Sequence, residues 1–126
     1  VSGGGVALFN CIRDLERLEF VKPSEDALVV NKDVLAGYDI VKKALLRPLV
    51  TIVKNAGLNV DAVIKTIGHH TVGVGYDVKN GGYVDMIQAG IIDPKKVTRV
   101  ALENAASVAA LVLMTECTIV NSDTDN

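Results

Sequence analysis

The chain has 126 residues, 49% of them apolar and 22% charged, which allows one compact domain with a real core and excludes a disordered segment. Its 13 Lys and Arg nearly balance 15 Asp and Glu for a net charge of −2, so the basic face of a nucleic-acid binder is not expected. The most apolar stretch, residues 100–114, is interrupted by Glu103 and Asn104 and falls short of the ~20 apolar residues of a membrane span, so a soluble protein with no membrane partner is predicted.

Aromatic residues make up 4% and Trp is absent, a composition suited to closely packed aliphatic helices. Val1 is not an initiator Met and no signal-peptide pattern precedes Gly3-Gly4-Gly5, so the chain is expected to begin mid-protein. After the glycines, Leu8, Ile12, Leu15 and Leu18 recur at helical spacing. Arg13, Asp14, Glu16 and Arg17 fall largely on the opposite, solvated face. The pattern breaks at Lys22-Pro23-Ser24-Glu25-Asp26, and residues 20–33 are expected to be a loop.

A second helical pattern starts near Asp33 and runs through Ile40, Val41, Ala44, Leu45, Leu49, Ile52 and Val53 to Asn55-Ala56-Gly57, where Gly57 suits a left-handed cap. Pro48 interrupts it, so either this helix kinks or two helices meet near Leu46 and Arg47. A short third helix is bracketed by Asn59 as N-cap and Gly68 as stop, with Val60, Val63, Ile64 and Ile67 facing inward.

The period then switches to two, with Val72, Val74, Tyr76 and Val78 alternating with Gly73, Gly75 and Asp77. Asn80-Gly81 supplies a tight turn toward Tyr83, which completes a hairpin signature. Residues 84–89 suggest a brief helix stopped by Gly90. Asp93-Pro94 predicts the start of a long helix, Asp as cap and Pro at its first position. Along that helix Val97, Val100, Ala101, Val108, Leu111 and Val112 form the stripe of a central core helix, with Ala105, Ala106, Ala109 and Ala110 allowing close approach. Residues 117–120 suggest a lone strand that needs a partner from elsewhere.

Few residues suggest chemistry on their own. Cys11 and Cys117 lie at opposite ends without CxxC or His-containing spacing, and are expected to be reduced, buried thiols. The glycine triplet has neither Walker nor G-x-G-x-x-G spacing, and alone it is first a structural turn. His69-His70 fits a polar loop better than a metal pair, and capping alone accounts for Asp93. No Ser-His-Asp order, nucleophile elbow or paired-carboxylate motif stands out.

The order of segments resembles the group I chaperonins. Val1-Ser2-Gly3-Gly4-Gly5-Val6-Ala7-Leu8 leads to Ile40-Val41-Lys42-Lys43-Ala44-Leu45, Asn55-Ala56-Gly57 and Gly75-Tyr76-Asp77. The most specific part is Ala89-Gly90-Ile91-Ile92-Asp93-Pro94, followed by Lys96-Val97-Thr98-Arg99, Ala101-Leu102, Asn104-Ala105-Ala106-Ser107-Val108-Ala109 and Thr115-Glu116. The match spans nearly the whole chain.

This resemblance implies an all-α, multihelical fold with a small β-hairpin and a carboxy-terminal strand, residues 1–126 being the carboxy-terminal part of the chaperonin equatorial domain. It implies ATP as cofactor, with Gly4 against the nucleotide, Asp77, Val78 and Lys79 flanking the adenine and Asp93 reaching the ribose. No residue here maps to the phosphate loop, the magnesium-binding Asp or the Asp that activates water, so this segment alone is expected to be inactive. The implied partners are neighbouring ring subunits, through the strand at residues 117–120, and unfolded clients and a co-chaperonin through domains absent here. The implied compartment is the bacterial cytoplasm or the interior of a mitochondrion or plastid. The competing expectation is a non-catalytic helical assembly module from a divergent homologue; a Rossmann-type enzyme is a weaker third reading, against which the missing strand before Gly3 argues.

Overall fold

The computed structural model describes residues 1–19 and 32–115; most of the expected loop at residues 20–33 and the expected strand at residues 117–120, with Cys117, lie outside the described residues. The chain divides into two units, Val1–Asp93 and a second beginning at Pro94. The first contains α1 (Val6–Glu19), α2 (Lys32–Asn55), α3 (Val60–His69), β1 (Val74–Tyr76) and β2 (Tyr83–Asp85). The second contains α4 (Lys95–Met114).

In the first unit α2 packs against both α1 and α3. Phe9, Leu49, Val53, Val63 and Ile67 form the buried centre, bordered by Ile12, Leu46, Leu58, Val60, Ile64 and Tyr76. Burying each large aliphatic side chain contributes about 1.5–3 kcal/mol, so these contacts decide how the helices pair. On α1 the most buried positions are Val6 and Phe9, one turn ahead of the expected stripe; Leu8, Ile12 and Leu15 are only half-buried. Cys11 is exposed rather than buried, its Sγ donating to the Ala7 carbonyl at 3.4 Å.

Pro48 lies inside a single helix, α2, so two helices do not meet there. A helix-interior proline costs about 3 kcal/mol; Leu45 and Leu49, each 2% exposed on either side of it, offset that cost through tertiary burial. The helix ends in a Schellman motif: Gly57 has φ +72°, its N–H donates to the Lys54 carbonyl at 2.9 Å and the Leu58 N–H to the Val53 carbonyl at 3.2 Å.

Asn59 caps α3, its side-chain oxygen accepting from the Ala62 N–H at 2.9 Å. Gly68 does not stop this helix, which runs on to His69. The end is secured from a distance: the Arg13 guanidinium on α1 donates to the carbonyls of Ile67, Gly68 and His70 at 3.4, 2.7 and 3.1 Å. A cation on the last carbonyls suits a helix carboxy-terminus, so Arg13 is no spectator on a solvated face.

β1 and β2 pair antiparallel, with Val74 opposite Asp85, Gly75 opposite Val84 and Tyr76 opposite Tyr83. The strands are shorter than the alternation implied, and Val72 and Val78 are exposed. Residues 84–89 do not form the expected helix: Val84 and Asp85 belong to β2. A single turn follows, in which the Asp85 carboxylate accepts from the Gln88 N–H at 2.9 Å and Gly90 takes φ +74°.

In α4 the N-cap is Pro94, with no side-chain cap bond. Asp93 is therefore not the cap; its backbone is instead paired with Val1, N–H to carbonyl at 3.0 Å in both directions. The helix is 20 residues long and apolar enough to cross a membrane by length and composition, although the sequence count placed it short; a core helix meets the same test. No residue of α4 is buried, so its expected role as a core helix is not realised within its own unit.

Candidate functional site

The site is built around the glycine triplet. Gly4 and Gly5 both have positive φ, +64° and +78°, a conformation that costs other L-residues about 1–2 kcal/mol. A Cβ at Gly5 would lie 2.6 Å from the Leu49 amide nitrogen, and one at Gly3 would lie 3.0 Å from the Ile91 carbonyl. Glycine is required here first because protein backbone approaches it. The Gly3 N–H donates to Ile91 at 2.9 Å and Ser2 bridges to Ile92, which fastens the segment before α1 to the chain just ahead of Asp93.

Met86 sits beneath this turn, 1% exposed. Gly75 is buried on the same side, where a Cβ would come within 2.5 Å of Val6 and 2.7 Å of the Met86 sulfur. The glycine side of β1 thus faces the interior. Outside it, Tyr83 stacks on His70 with centroids 5.7 Å apart and meets Tyr76 edge-on at 5.1 Å. Among the described residues no cluster of His, Cys, Asp or Glu is placed to hold a metal.

Residues 77–82 link the two strands. The Asp77 N–H donates to the Gly82 carbonyl at 2.8 Å and the Gly81 N–H to the Asp77 carbonyl at 2.9 Å, with Gly81 at φ +74° and Gly82 at φ +130°. The Asp77 carboxylate, 6% exposed, is wrapped by its own turn. Oδ1 accepts from the N–H groups of Lys79 and Asn80 at 2.9 and 3.2 Å, and Oδ2 from the Asn80 side-chain amide at 2.7 Å. The Asn80 amide, followed by the backbone donors and the Lys79 charge, holds this carboxyl below its ordinary value of 3.8 against the opposing effect of desolvation.

Against this turn lies a cavity of about 380 Å³, within the range of small-ligand sites. Gly4 and Met86 line one part and Ile52 of α2 another; Ala89 and Ile91 contribute a wall, and Tyr76 with residues 77–80 forms a lip. The surfaces are mainly aliphatic, with polar groups concentrated on the lip. Such a site suits a flat, largely apolar ring with polar edges. Of the residues singled out from the sequence, Gly4, Asp77, Val78 and Lys79 come together here, and Asp93 does not line the cavity.

Ile52, Tyr76, Asn80, Met86, Ala89 and Ile91 were not singled out as site residues. Ile52 belonged only to a helical stripe and Met86 to a segment read as a brief helix. Asn80 gave a signal as a turn residue before Gly81, but nothing in the sequence showed that its amide closes on Asp77.

Residues 1–123 match the TCP-1/cpn60 chaperonin family. The chain is 48% identical over 120 residues to a mitochondrial chaperonin homolog, Hsp-60, of Caenorhabditis elegans, covering 94% of this chain and 20% of that protein. It is 43% identical over 126 residues to the chloroplastic chaperonin GroEL of Cyanidium caldarium, covering all of this chain and 22% of that protein. A group III chaperonin crystallised in the open state superimposes with a TM-score of 0.75 at 26% identity, over 94% of this chain and 24% of the other. The chain thus spans about a fifth of the length of these curated relatives. A family match over 123 residues together with two organellar relatives above 40% identity makes this chain a member of the TCP-1/cpn60 chaperonin family.

Proposed function

We propose that this chain is the carboxy-terminal part of the equatorial domain of an ATP-driven chaperonin that assists protein folding, and that it supplies the base and ribose side of the nucleotide site. The observation that carries this reading is a cavity lined both by Gly4 and by Asp77, Val78 and Lys79, two segments that lie far apart in sequence. Its aliphatic surfaces would take the faces of an adenine and the polar lip its edge. Asp93 follows Ile91 by two residues and is proposed, on resemblance, to reach the ribose.

Phosphate transfer needs a metal and positioned charge around the γ-phosphate. In this reading ATP brings magnesium held by parts of the protein outside this segment, and the segment alone neither binds ATP tightly nor hydrolyses it. The full-length protein would be an ATPase whose ring subunits contact one another, with clients and a co-chaperonin held by other domains. Its compartment would be the interior of a mitochondrion or plastid, as the names of the two relatives state for those proteins, or a bacterial cytoplasm.

The test fills the cavity. Ile52 is 38% exposed at its rim, so Ile52→Trp places a large ring in the space without opening the core. In the full-length subunit, isothermal titration is expected to show ATP affinity reduced at least about tenfold, a change of about 1.4 kcal/mol, with the melting temperature retained. Unchanged affinity would move the nucleotide elsewhere.

A further inference from the structure

Asp77 lines the cavity, yet its acceptor atoms are already engaged. Oδ1 receives two backbone N–H groups and Oδ2 receives the Asn80 amide, and the residue is buried. A carboxylate has no proton to donate. Three of its roughly four acceptor positions are taken, and with the residue only 6% exposed a nucleobase would have to compete with the charge-assisted hydrogen bonds that hold its own turn. Its partners are themselves cavity residues: Lys79 and Asn80 both line the cavity.

We infer that Asp77 is a positioning residue, whose carboxylate holds residues 78–80 in place as the lip of the nucleotide site and does not itself contact the base. This rests on the reading of the cavity as a nucleotide site. Backbone bonds between Asp77 and residues 81 and 82 close the turn, and the carboxylate holds Lys79 and Asn80 within it. Asn80 is drawn in with its amide nitrogen toward Asp77, which leaves its amide oxygen as the acceptor on the lip.

Two variants and two nucleotides separate positioning from contact. Asp77→Ala removes every side-chain bond to the lip; Asp77→Asn keeps one acceptor oxygen for the two N–H groups and loses the second acceptor for Asn80. ATP and inosine triphosphate differ at the base edge, where an amino donor is replaced by an oxo acceptor. In the full-length subunit, Asp77→Ala is expected to weaken both nucleotides about tenfold, as loss of charge-assisted bonds on the lip predicts. Asp77→Asn should restore both to within about threefold of the parent. The ratio of the two affinities should be the same in all three proteins. A ratio that changes in Asp77→Asn would mean that the side chain touches the base and overturns the inference. So would full affinity in Asp77→Ala. If the parent subunit binds neither nucleotide, the cavity reading itself fails and the positioning role falls with it.

Discussion

Ile67 and Leu111 are both large aliphatic residues on the apolar stripe of a helix, and one is 1% exposed while the other is 65% exposed. The first unit folds its stripes against each other: α1, α2 and α3 share a core and close it with distant contacts such as Arg13 on the end of α3. Among the described residues the second unit is a single helix, and a single helix has nothing of its own to bury against. Apolar periodicity therefore says which face wants a partner and is silent on whether the partner is in the same chain.

The comparison would break if the two stripes responded alike. Ile67→Ala is expected to cost about 2–5 kcal/mol in urea unfolding of the chain, the range for a truncated core aliphatic. Leu111→Ala should stay within about 0.5 kcal/mol. A large loss at Leu111 in the isolated chain would show that its helix is buried after all.

A second, smaller contrast lies within the first unit, between two glycines of positive φ. Gly5 has Leu49 backbone against it, whereas a Cβ at Gly57 would meet nothing within 4 Å. Gly57→Ala should cost about 1–2 kcal/mol for the left-handed backbone alone. Gly5→Ala should cost at least about 3 kcal/mol, because overpacking is added to the same strain. Equal losses in thermal melts would mean that the segment before α1 moves aside freely.

Legibility followed the range of the interaction. α3 was accessible from the sequence because its cap, Asn59, and its stripe through Val63 and Ile67 are local. Its end was not, because the residue that extends it past Gly68 is Arg13, more than fifty positions earlier. The hairpin was visible in the alternation and in Asn80-Gly81, while the burial of Gly75 depends on Val6 and Met86. Gly4 and residues 77–79 were reached through family resemblance, and the cavity walls at Ile52 and Met86 emerge only when α2 and the turn after β2 are brought together.

The least disruptive test is a titration of Asp77. Its carboxyl is held below 3.8, so the charged form is favoured in the folded state, and the stabilisation is present above the unfolded value. It is lost as pH falls through the lower folded value. The lip should therefore stay intact from neutral pH to about 4 and loosen below that. A carboxyl NMR titration should place the Asp77 midpoint under 3.8, and a midpoint at or above that value would contradict the wrapped geometry.

The seam between residues 1–3 and 91–93 has a mechanical consequence. Its strands are antiparallel, so Val1 and Asp93 lie at the same end, and tension applied at those two residues meets the hydrogen bonds one after another. Such a seam peels open beginning with the Val1–Asp93 pair. It is a zip fastener whose slider rests at the junction between the two units.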